Sequence, residues 1–226
     1  MGTSNAQKMT SALTRRNLRL KLQFCRIDTE VIRDFSDAIA KTSRSRLEKL
    51  QKQHAREAKR SASEISDAII GQYFEDQVAL TASMEELAQK LAIVGLFGQV
   101  EICIKNMLAI ALPNANQKVL FRWDRLCKAL GTVGIEIERL STYKRVNQLR
   151  CLNNAIKHSE LVGKELAATG WGKPQDVIDP GKCHRELSDY LESSEQFVKD
   201  FRAKLVARVP LVPIAVGTAS SPGGKY

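Results

Sequence analysis

Apolar positions along this chain recur mostly at helical steps. Ile32, Phe35, Ile39, Leu47, Leu50, Ile65, Ile69 and Phe74 follow one another at that spacing. Asp28 or Thr29 stands where a cap is needed before Glu30. The pattern predicts one elongated N-terminal helix, which Gly71 weakens without ending. Ser83 and Glu86 form a Ser-x-x-Glu capping box that opens the next helix. From Leu87 to Leu112 that helix is apolar on nearly all sides. Leu91, Val94, Phe97, Ile102, Ile104 and Leu108 cannot share one narrow stripe, so the helix belongs in the middle of a bundle. Gly95 and Gly98 permit close approach of a neighbour, and Pro113 is its stop. A third helix is expected over Gln117–Leu130, with Phe121, Trp123 and Leu126 in the core and Gly131 as terminator. Ser141 can cap a fourth, running to about Leu161 or beyond. Gly170, Gly172, Pro174 and Pro180 make a loop, and Asp179 before Pro180 starts a fifth helix. That helix runs to about Val206, with Leu187, Leu191, Phe197, Phe201 and Leu205 on one face.

The two ends read differently. Leu18, Leu20, Leu22 and Phe24 alternate with Arg19, Lys21 and Gln23, the period of an extended strand or arm. After Val209 the chain turns to Pro, Gly and Ser, the composition of a fraying tail. The expected organisation is a basic arm over 1–27, a helical domain over 28–208 and a flexible tail over 209–226. No internal repeat is visible.

Composition strengthens the all-α reading. Among 226 residues only 6 are proline, and the first is Pro113. A β-sandwich or barrel needs turn residues every eight to twelve positions or so. With 43% hydrophobic and 27% charged residues, neither a disordered nor a collagenous chain fits. Leu91 to Gly98, a stretch free of charged or strongly polar side chains, is far short of the roughly 20 residues that cross a bilayer. No transmembrane helix and no membrane partner are therefore expected. Five cysteines, odd in number and widely spaced, point to a reducing compartment and a cytoplasmic protein.

Charge narrows the choice of partner. The formal net charge is +10. An anionic partner, nucleic acid first, or a lysine-rich solvated surface would each account for it. Residues 1–27 hold Arg15, Arg16 and Arg19 among six basic residues, and no acid. They read as a phosphate-contacting arm or as an organellar transit peptide. Lys41 to Arg60 holds eight basic residues against Glu48 and Glu57, either a solvated helix face or a second phosphate contact.

The chemistry concentrates in the segment Tyr143 to His158. On a helix Val146, Leu149, Leu152 and Ile156 form the apolar face. Arg150, Asn154, Lys157 and His158 then share an arc of about 100°, with Asn153 on its border. Two asparagines mid-helix cost stability, so they have a local job: tying helices together, or building a polar site. Glu101 is the lone acid of the apolar helix, either a buried partner of Lys157 or Arg150 or a solvent edge. His54, His184 and Trp171 read as surface or packing positions. There is no phosphate-binding glycine loop, His-Glu-x-x-His or nucleophile elbow, and no cofactor or metal is expected.

The run Leu149-Arg-Cys-Leu-Asn-Asn-Ala-Ile-Lys-His-Ser159 resembles the signature helix of HEPN domains (higher eukaryotes and prokaryotes nucleotide-binding). The resemblance covers roughly Ser83 to Val206. It implies an all-α bundle, a homodimer, and membership among bacterial toxins, defence effectors and RNA-processing enzymes. Active members carry an arginine, four to six intervening residues, then a histidine, with a polar residue just after the arginine. Here His158 matches the histidine and Asn154 the polar position, but Asn153 stands where arginine is expected. Arg150 lies outside that window, about 12 Å from His158 along the helix axis. The implied chemistry is metal-independent RNA cleavage. The 2′-hydroxyl attacks, histidine moves the proton, and a guanidinium stabilises the phosphoryl charge. With asparagine in place of that guanidinium, three readings stand. One is an endoribonuclease that completes its site from a twofold partner. Another is a non-catalytic module binding RNA, nucleotide or a protein partner. The third is a structural bundle in which the polar residues knit helices. A His158 imidazole facing a groove separates the first two from the third.

Overall fold

Helix formation dominates the chain, and the described residues contain no strand. The computed structural model describes residues 5–60, 64–112, 122–132 and 134–208. Its helices are α1 (Asn5–Gln23), α2 (Thr29–Ala58), α3 (Glu64–Ala111), α4 (Trp123–Thr132), α5 (Tyr143–His158), α6 (Lys164–Ala168) and α7 (Pro180–Arg208). The all-α class is as the sequence predicts. The expectations for Pro113, Gln117, Phe121 and the tail over 209–226 fall outside the described residues.

The elongated first helix is instead two helices. α2 starts where expected, with Asp28 Oδ1 accepting from the Val31 amide at 3.2 Å. It ends at Ala58, and α3 then runs unbroken for 48 residues. Ser83 caps nothing: its hydroxyl donates to the Ala79 carbonyl, 3.0 Å away, inside α3. Serine four residues after a carbonyl satisfies itself within a helix as readily as it caps one, which is why the capping pattern misleads. Between the end of α2 and the start of α3 the sequence has neither Gly nor Pro, so no punctuation separates them.

α2 and α3 form an antiparallel hairpin. Asp28 meets Gln99, Arg46 meets Gln77, and His54 lies 4.8 Å from the Phe74 ring. The seam advances in sevens: Thr29, Ser36, Ser43 and Leu50 are buried on α2, and Phe74, Thr81 and Ala88 on α3. A seven-residue apolar or small-residue repeat is what two helices need to keep one seam facing the other.

Beyond the hairpin, the second half of α3 is wrapped on most sides. One core cluster gathers its Val100, Ile104, Met107 and Leu108 with α1, α4 and the end of α7. Another gathers Ile93, Leu96 and Phe97 with α5, the loop after it and the start of α7. Within α3 the span Asp67–Ala111 is apolar enough by hydropathy to cross a membrane, which the charge-free-stretch criterion did not detect. In the bundle 44% of its most apolar window is buried among the other helices.

The strand-like N-terminus is also helical. Leu18 and Leu22 lie one turn apart on the same side of α1; Leu22 is fully buried, while Leu20 and Phe24 are exposed. Alternation over four leucine-like positions contains two i, i+4 pairs, and core burial selected one of them. Thus Asn5–Gln23 is a helix docked through Leu18 and Leu22 rather than an extended arm. α4 passes through Gly131. Gly134, at φ 76°, follows it, and the Ile135 amide reaches the Leu130 carbonyl at 2.9 Å. The left-handed glycine that closes the helix is therefore three residues later than expected. α5 begins after Thr142, while Ser141 donates to Asp200. It stops at His158, short of Leu161, because Leu161 bridges to Val177 in the following loop.

Candidate functional site

A cleft of about 1080 Å³ opens between α3, α4 and α5. It is lined by Glu101, Arg150, Asn153, Asn154, Lys157 and His158, so the structure brings all six of these positions together. Arg15, Arg16 and Arg19 are exposed on α1 and do not line it.

α5 positions the central groups because its opposite face is pinned. Val146, Leu149 and Leu152 are completely buried. Arg145 stacks over the Tyr190 ring at 4.0 Å and pairs with Glu186 and Asp189. Tyr190 Oη donates to Gln148 Oε1 at 3.0 Å. Burial holds that phenol well above its ordinary pKa. These ties fix the rotation of α5, and the polar arc then faces the cleft.

The six residues divide by partnership. Asn153 is buried; its Nδ2 donates to Asn154 Oδ1 at 3.2 Å, and its own Oδ1 has no partner among the described residues. The Arg150 guanidinium is held by Asn147 at 2.9 Å and Glu165 at 3.3 Å. Glu101 pairs with Lys105 one turn along α3 at 2.6 Å, not with Lys157 or Arg150. Lys157 and His158 are exposed and form no ion pair among the described residues. They occupy the last turn of α5, where the carbonyl end of a helix favours positive charge.

The far wall was not legible from the signature segment. Arg122 pairs with Asp124 at 3.3 Å, and Lys128, Glu138 and Glu165 add further charge. Trp123 spans the two core clusters, 6.2 Å from Phe97, and also lines the cleft. Tyr143 lies beside it, and burial raises its pKa. Only the helical register could have foretold Asn147, one turn before Arg150; Glu165 comes from the short α6, whose place beside α5 the sequence does not state. Cys127 and Cys151 also face the cleft, and burial raises both thiols. His54 is exposed beside Phe74, His184 touches Ser36, and Trp171 is buried under Lys182.

With four acids against five lysines and arginines, the cleft is mixed in charge rather than a basic groove. It has the size of a small-ligand site. An exposed imidazole and ammonium beside an asparagine amide can hold a phosphate and contact a sugar or base edge. The chain matches no family model, no curated protein and no solved structure.

Proposed function

We propose that this chain is an RNA-directed, HEPN-like protein whose cleft accepts a phosphoribosyl unit against Lys157 and His158. The observation that carries the reading is the shared placement of His158, Lys157, Asn154 and Arg150 on one cleft, with the imidazole exposed. A structural role for His158 would bury it against a partner. In the cleaving form of the proposal, His158 takes the proton of the 2′-hydroxyl as its oxygen bonds to phosphorus, the bond from phosphorus to the 5′-oxygen breaks and that oxygen leaves protonated by water, and a twofold partner supplies positive charge. A second reading, binding without cleavage, draws support from Arg150: its guanidinium is committed to Asn147 and Glu165. A bacterial defence or toxin role belongs to the proposal through the resemblance alone, and a cytoplasmic location through the five widely spaced cysteines.

The test is incubation of purified protein with RNA in chelator. Cleavage with cyclic phosphate ends is expected, and His158→Ala should lower it about two to four orders of magnitude. The same substitution should change stability by no more than about 0.5 kcal/mol, since the side chain is exposed. Binding without cleavage, weakened by Lys157→Ala, selects the second reading. Neither binding nor cleavage overturns both. Because Leu22 is in the core, the contribution of α1 is best measured with Arg15, Arg16 and Arg19 changed to alanine rather than by deletion. Each lost phosphate contact should reduce the salt slope by about 0.7.

A further inference from the structure

α3 leaves one face uncovered along most of its length. Ile69, Tyr73, Leu80, Met84, Leu87, Leu91 and Ile102 are between 49% and 66% exposed. At 100° per residue all of them, with Gly98, fall within an arc of about 60°. They form one stripe rather than scattered surface apolars, with Asp76 and Gln77 at its edges between Tyr73 and Leu80. Their exposed surface is on the order of 600–700 Å² per chain, at or above the largest patch of a typical monomer and near the roughly 800 Å² per side of a standard interface.

The order of the stripe is palindromic. From Ile69 to Ile102 the steps between its members run four, seven, four, three, four, seven, four. Reversing the helix therefore lays Ile69 on Ile102, Tyr73 on Gly98, Leu80 on Leu91 and Met84 on Leu87. The ring falls on the glycine, where a Cβ would meet nothing within 4 Å. Glu85 and Glu86, which a twofold axis would bring close, project away from the stripe by helical register. A face complementary to its own reversal is the requirement for an isologous contact.

We infer that a second copy of this chain docks antiparallel along the α3 stripe. The inference is independent of the proposed RNA chemistry. The two clefts stand about 45 Å apart along the helix axis, and both copies' α2 helices lie on the flank of the stripe opposite the clefts, so neither the signature helices nor the hairpin tips reach the other copy's cleft.

Complementary charges test the pairing. Met84→Glu and Leu87→Lys should each weaken self-association about thirtyfold or more in sedimentation equilibrium, the effect of losing an interface hot spot. Both should keep the wild-type thermal midpoint at concentrations where the wild type is monomeric. Mixed in equal amounts, they should restore the dimer, since glutamate at 84 then faces lysine at 87. Wild type that stays monomeric at all concentrations overturns the inference. So does a mixture that fails to recover association, or a stripe that binds phosphatidylcholine vesicles in place of a second copy.

Discussion

The hairpin and the body of this molecule use the same helix α3 in opposite ways. In the body, Phe197 and Phe201 of α7 stack at 6.3 Å and are fully buried together with Leu108 and Met107. In the hairpin, Ser36, Ser43, Thr81 and Ala88 make most of the seam, Leu50 and Phe74 fill it near the tip, and other large apolar side chains of α3 face outward. One half of α3 is therefore held by apolar volume and the other largely by a thin line of small residues. The difference teaches that an apolar helix need not be a core helix throughout: burial is set by what packs around each turn.

Phe197→Ala should have the largest effect. It removes a fully buried ring and should cost about 3–5 kcal/mol. For a chain of this size the thermal midpoint should fall by roughly 10 °C. A loss below about 1 kcal/mol in denaturant titration would mean that the body is no better packed than the hairpin.

Alkaline pH should weaken the body. Burial pushes the Cys183 thiol up to about 12 from 9.0, with Asp179 adding to the rise. Cys103 is pushed up to about 11 by burial and by neighbouring Cys25. The folded state keeps these protons while the unfolded chain loses them. Stability is thus fully retained below pH 9 and falls as pH rises through the folded values. The Cys183 contribution should decline by up to about 1.4 kcal/mol per pH unit between those limits. Cys183→Ala should flatten the stability profile above pH 9; an unchanged profile would show that the thiol ionises freely.

Phe74→Ala should have the smallest global effect despite removing another buried ring. The hairpin tip can open without the body, so global stability should fall by less than about 1 kcal/mol. Amide exchange, however, should accelerate across the α2–α3 tip and stay slow in α5 and α7. Uniform acceleration would show a single cooperative unit and dissolve the contrast.

Element type was legible from the sequence because it depends on local periodicity. Boundaries were legible only where a residue enforces them. Asp28 and Pro180 mark true starts because one caps and the other fixes φ. The reversal after Ala58 is set by tertiary packing of two heptad seams and has no local signature. Leu18 to Phe24 reads as a strand until the core chooses Leu18 and Leu22. The α5 half of the cleft followed from helical register, which places Arg150, Asn154, Lys157 and His158 on one arc. The opposing wall did not, because Arg122, Trp123 and Glu165 arrive from other elements. Nor could register show that Arg150 would be tied to Glu165, 15 residues along the chain.

The placement of the two tryptophans gives the molecule a built-in optical comparison. Trp123 lines the cleft, whereas Trp171 is 3% exposed and lies under the Lys182 ammonium at 4.5 Å. Emission from Trp123 should respond when a solute fills the cleft, while Trp171 serves as an internal reference in the same chain. Occupancy would then change part of the intrinsic fluorescence and unfolding would change all of it, separating the two events without any attached dye.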